Sequence, residues 1–154
     1  MTLRLMLIFG VRCPLASVSS VVRIVNLRID SARETFSFAA SQIGVNVRAF
    51  SYNVDGEVGY ILNPEIVEIT GELELVDEGC LSVPGLWHKT PRHPFARVRG
   101  IDLEGNEIEL SGTGLMAQAL QHETDHLDGI LYLDRLEKDE RRAAMKAVRE
   151  SDWF

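Results

Sequence analysis

The sequence predicts an α+β fold: small antiparallel or mixed β-sheets packed around a central helix bearing the pattern H-E-x-x-H, with one helix N-terminal and one C-terminal to them. Three observations lead there. Apolar residues recur every three or four positions near the start, short β-type segments fill residues 46–110, and helical patterns return afterwards. Helix, strands and then helix is the order of an α+β domain, not the strand–helix alternation of a parallel sheet.

In the first helix, over residues 21–38, Val22, Val25, Ile29, Ala32 and Phe36 set the spacing. Residues 47–54, 60–63 and 66–70 carry β-branched and aromatic side chains between turn signals, with Asn63-Pro64 and Gly71 as punctuation. Residues 96–103 and 108–110 flank Glu104-Gly105-Asn106 as a hairpin. The motif helix covers 113–127, with Leu115, Met116, Ala119, Leu120 and Leu127 as its apolar side, and Gly129 ends it. A final helix, rich in Ala, Arg and Lys, covers 138–150.

At 154 residues a single domain, 1–154, is the default, and a chain of this length buries a substantial core. Hydrophobic residues make up 45% and charged residues 25%, ordinary values for a globular protein. The net charge of −7 argues against a nucleic-acid binder, which would be basic. Cys13 and Cys80 suggest no disulfide framework. If Cys80 binds metal, a reducing cytoplasm is its natural location. The apolar start of the chain is interrupted by Arg4, Arg12 and Arg23, falls short of the ~20 apolar residues of a membrane span, and is a poor match to a secretory leader.

The chemistry centres on Gln121-His122-Glu123-Thr124-Asp125-His126. Residues four apart share a helix face, so His122 and His126 can hold one metal ion with Glu123 beside it. A hydrolytic metal site needs three protein ligands and one open position. No His follows His126, and the carboxylates Asp128, Asp134 and Glu137 follow it closely. Upstream, Cys80 stands in Glu78-Gly79-Cys80-Leu81-Ser82, a turn-like setting. As a thiolate it would complete a Cys-His-His set suited to zinc, iron(II), cobalt or nickel. A small buried hydrophobe is its competing meaning.

Glu78-Gly79-Cys80-Leu81-Ser82 followed by Gln121-His122-Glu123-x-x-His126-Leu127-Asp128-Gly129 resembles peptide deformylase, the family that removes the formyl group from new bacterial proteins. The family's G-x-G-x-A-A-x-Q pattern is matched in part by Ala39-Ala40-Ser41-Gln42 and the following Ile43-Gly44-Val45, but its two glycines fall on Thr35 and Ser37. The resemblance runs from about Ala39 to Tyr132; residues 1–38 diverge.

The resemblance implies one divalent metal, iron(II) first and zinc, nickel or cobalt otherwise, on Cys80, His122 and His126. It implies Glu123 as the group that takes a proton from the metal's water and passes it to the departing amine. The side-chain amide of Gln42 and the backbone N–H of Leu81 are the implied oxyanion donors. Substrate contacts fall on Phe36, Ser37, Ile43, Glu78 and Gly79, with Phe36 and Ile43 lining a methionine pocket and Glu78 positioning the site. N-formylmethionyl nascent peptides are the implied partners, with no membrane and no nucleic-acid specificity. A transient ribosome contact through the C-terminal helix competes with a simple solvated charged face. Arg92 contacts the peptide or forms a structural salt bridge, and Asp125 faces solvent or orients a neighbour. His88 and His93 have no ligand spacing, and Trp87 belongs in the core.

Two alternatives accompany this reading. A degenerate relative would bind metal with weak or no activity because the first motif lacks its glycines, which permit close backbone approach. A different metallopeptidase is disfavoured by Cys80 within its motif.

Overall fold

A computed structural model describes residues 36–153. It contains seven strands, β1 (Phe36–Ala39), β2 (Ala49–Val54), β3 (Glu57–Thr70), β4 (Glu74–Cys80), β5 (Val83–Arg92), β6 (Phe95–Ile101) and β7 (Glu107–Thr113), then α1 (Gly114–Leu127) and α2 (Lys138–Arg149). The expected first helix lies outside the described residues up to 35, and its last residues, Phe36 to Phe38, belong to β1 instead. Cys13 and Thr35 also lie outside them.

Five strands form one antiparallel sheet in the order β1-β2-β3-β6-β7, and β4 and β5 form a separate hairpin. The β2–β3 turn is Asp55-Gly56, with φ of 52° and 85°. Two positive φ values are what a two-residue turn compatible with strand twist requires. β3 passes through Asn63-Pro64 rather than stopping there. Its pairing with β6 shifts register between Leu62 and Glu65, and Asn63 adopts φ 49°. At such a bulge the proline's missing N–H leaves no ladder bond broken.

Side chains alternate across β2 and sort into two clusters. Phe50, Tyr52 and Val54 join Ile61, Ala96 and Val98 against Ala117, Leu120 and Leu127 of α1. Ala49, with Val47 and Leu62, packs on the opposite face. Leu115, expected on the apolar side of the motif helix, is instead 49% exposed, and Trp87, expected in the core, is 71% exposed. Trp87 lies over Gly79, its cross-strand partner, where a Cβ would meet the indole at 2.7 Å.

Gly129 ends α1 as expected. It has φ 76°, its N–H donates to the His126 carbonyl at 3.2 Å, and that of Ile130 donates to the Asp125 carbonyl at 2.8 Å. This left-handed closure satisfies two carbonyls of the last turn. The Arg48 guanidinium takes a third, donating to the Leu127 carbonyl at 3.1 Å and to Asp128 at 2.6 Å. Beyond α1, Tyr132, Leu133, Leu136, Ala144 and Val148 pack with Val83 of the hairpin, joining α2 to the β4–β5 layer. α1 therefore lies between a sheet on its apolar side and the hairpin on its polar side.

Candidate metal centre

Three elements converge on the polar side of α1. The four-residue spacing puts the two imidazoles on one face, with Nε2 of His126 3.0 Å from Nε2 of His122 and the rings nearly perpendicular at 85°. Cys80, the last residue of β4 rather than part of an irregular turn, brings its Sγ to 3.1 Å from His126 Nε2. The ligand atoms of Cys80, His122 and His126 all lie within 4.8 Å of one another. The sequence-expected trio is thus brought together from two layers of the fold.

Glu78 is buried beneath His122, and its Oε1 lies 2.6 Å from His122 Nδ1. A carboxylate accepts there, so Nδ1 carries a proton and Nε2 is the ring atom turned towards Cys80 and His126. Both oxygens of Glu78 also accept from Arg92, at 2.8 and 2.6 Å, in a two-toothed pair. Burial alone would push the Glu78 carboxyl up, but hydrogen bonds from Arg92 and His122 outweigh it and hold it at about 2. Glu78 is only 2% exposed, so it supports the site from below and offers no face to a substrate.

Arg92 resolves in favour of the structural salt bridge. It is 4% exposed and continues to Asp125, which is buried rather than solvent-facing and also accepts from Arg135 Nε at 3.1 Å. The sequence left open a salt bridge at Arg92 and an orienting role for Asp125, but not that one chain of contacts runs from His122 through Glu78, Arg92 and Asp125 to Arg135.

Around the sulfur, the Ser82 N–H donates at 3.3 Å and the Gln42 side-chain amide at 3.6 Å. Gln42 is oriented from behind, because its Oε1 accepts from the Ala39 N–H at 2.8 Å while its Nε2 also reaches Ser82 Oγ at 3.2 Å. Burial pushes the Cys80 thiol up, yet hydrogen bonds with His122 and His126 overcome it and bring it down to about 6. Leu81 follows Cys80 at the surface, its side chain 66% exposed.

Glu123 is 1% exposed; its Oε1 accepts from the Ser37 hydroxyl at 2.6 Å, whereas Oε2 is buried with no hydrogen-bond partner among the described residues. The donor chemistry fits a divalent cation. A thiol that ionises readily, two imidazoles with converging Nε2 atoms and a neighbouring carboxylate with an idle oxygen form a soft-to-borderline set. His88 and His93 stand apart: His93 Nδ1 lies 2.9 Å from the Gly71 carbonyl, and the His88 ring lies near Tyr132. The side chains of Phe36 and Ile43 lie outside what the structure describes.

The family model for polypeptide deformylase matches residues 19–142. A peptide deformylase of Acidothermus cellulolyticus is 47% identical over 115 residues, covering 75% of this chain and 63% of that protein. One from a Parafrankia species is 42% identical over 134 residues, covering 85% of this chain and 73% of its own. The chain thus spans from under two thirds to about three quarters of these relatives' lengths. Among solved structures, the peptide deformylase of Thermus thermophilus superposes with a TM-score of 0.82 at 34% identity, covering 92% of this chain and 86% of that one. The Synechococcus elongatus enzyme, solved with actinonin, gives 0.82 at 30% identity, covering 95% and 81%. With the family model spanning most of the chain, and its matching segments meeting in space at Gln42, Cys80, His122 and His126, this chain belongs to the polypeptide deformylase family.

Proposed function

We propose that the protein hydrolyses the N-formyl group from the formylmethionine that begins newly made proteins, releasing formate. The observation that carries this reading is the meeting of Cys80 Sγ with the two Nε2 atoms of His122 and His126, within 4.8 Å, under the Gln42 amide. Cys80, His122 and His126 would hold the divalent ion. Iron(II) is the first choice by the family resemblance, with zinc, nickel and cobalt also suited to this donor set.

Bound there, the ion would supply Lewis acidity and a water ionised near neutral pH. The chain's own groups do the rest. Glu123 Oε2, buried and unpartnered, accepts the water's proton and returns it to the departing amine. The Gln42 amide, held by the Ala39 N–H, and the backbone N–H of Leu81 donate to the formyl oxygen as it gains charge. Glu78 fixes the His122 tautomer and ring plane from behind.

Ser37 of β1 and Gly79 of β4 are proposed as contacts for the substrate peptide. Phe36 and Ile43 are proposed for the methionine side chain. A cytoplasmic location suits a thiolate that must stay reduced. Ribosome contact through α2 has less support, because Arg141, Arg142 and Lys146 each lie within 2.6–3.8 Å of an acid. The degenerate alternative is not favoured, since relatives 41–47% identical bear the name peptide deformylase.

The test is formate release from formyl-Met-Ala by protein prepared without oxygen and loaded with iron(II). Turnover that disappears on chelation supports the reading. Full metal occupancy without formate release overturns it.

A further inference from the structure

Ser37 is the residue whose side chain the reaction scheme leaves unused. Successive side chains of a strand point to opposite faces, so Ser37 and Ala39 share one face of β1. Ala39 is 1% exposed and packs with Ala117 and Leu120 of α1. That face therefore looks onto the motif helix, and the Ser37 hydroxyl reaches Glu123 Oε1 at 2.6 Å. Nothing else among the described residues donates to the other oxygen.

A glutamate's terminal torsion is broad, so packing alone does not decide how its two oxygens point. A short bond from a hydroxyl to a carboxylate is strong and directional. Here it takes one oxygen and leaves the other idle in a buried setting, where an unmet acceptor is expensive unless the site supplies a partner. The position is also one where the motif resemblance expects glycine, which has no hydroxyl to offer.

We propose that Ser37 is a positioning residue: by holding Oε1 of Glu123 it aims Oε2 at the proton that is transferred. This rests on the deformylase reading of Glu123. The role differs from the peptide contact expected of this segment, since it acts through the carboxylate and not on the substrate.

The test uses the metal-loaded protein and two readouts. With formyl-Met-Ala, Ser37→Ala should lower kcat about tenfold, the scale of a modest misplacement of a reacting group, while KM stays within about twofold. Ser37→Thr keeps the hydroxyl and should restore most of kcat. In thermal unfolding, Ser37→Ala should lower Tm in the parent but cause no further shift in Glu123→Met, which fills similar volume without an acceptor. An unchanged or raised kcat, a loss confined to KM, or equal Tm shifts in both backgrounds would overturn the proposal. A parent that is fully loaded yet releases no formate removes the function reading and the positioning role with it. A failed cycle in an active parent removes only the role of Ser37.

Discussion

Arg92 Nη1 donates to Asp125 Oδ2 at 2.7 Å with both side chains nearly sealed from water, at 4% and 6% exposure. The same guanidinium holds both oxygens of Glu78, and Glu78 holds His122. One cation therefore serves two buried carboxylates, and one of those carboxylates sets the ring that faces Cys80.

Replacing Arg92 should be severe. Arg92→Met leaves Glu78 and Asp125 buried without their shared partner, a situation that typically costs about 3–5 kcal/mol. Arg135→Ala, removing a side chain that is 44% exposed, should cost no more than about 1 kcal/mol. Guanidinium unfolding midpoints of the two variants check the contrast, and similar midpoints would place Arg92 outside any network that matters.

Stability should fall in acid through Glu78. Its carboxyl is held at about 2 in the folded chain against 4.5 as the ordinary value. A lowered value means that the stabilisation is present above about pH 4.5 and lost as pH falls through about 2. The shift corresponds to about 3 kcal/mol at most. Unfolding free energy measured from pH 6 down to pH 2 should therefore decline more steeply for the parent than for Glu78→Gln. Parallel curves would contradict this.

Two glycines of the hairpin and sheet should respond differently to alanine. At Gly100 a Cβ would sit 2.5 Å from the Leu62 carbonyl oxygen, a backbone atom of the paired strand. Gly100→Ala should destabilise by about 1–3 kcal/mol, as overpacking does. At Gly79 the obstacle is the exposed Trp87 indole, which can swing aside. Gly79→Ala should leave the unfolding midpoint within about 1 kcal/mol of the parent while changing tryptophan emission.

Metal retention and turnover should separate by residue. Cys80→Ser should lower bound metal measured by elemental analysis. Glu123→Ala should keep the metal and lose about 10²–10⁴ in formate release. Metal content unaffected by Cys80→Ser would remove the sulfur from the donor set.

The site was more legible in the sequence than the scaffold, for a physical reason. His122 and His126 are four apart on a helix, so local geometry alone pairs them, and the motif resemblance supplied Cys80 and Gln42. The hairpin was missed because Glu74–Cys80 carries three acids and a glycine, and its burial comes from contacts with α1 and the segment after it. The Val21–Phe38 spacing suggested helix through Phe36, but that residue pairs with Asn53 in the sheet, and pairing partners are not written in local periodicity. Arg92 and Asp125 lie 33 positions apart, and no spacing rule joins them.

The thiol and the two rings belong to separate layers, one to the β4–β5 hairpin and the other to the helix seated on the large sheet. A cation shared among them would rivet those layers, so chelation should loosen the hairpin before the rest of the protein and open its backbone to proteases and to hydrogen exchange.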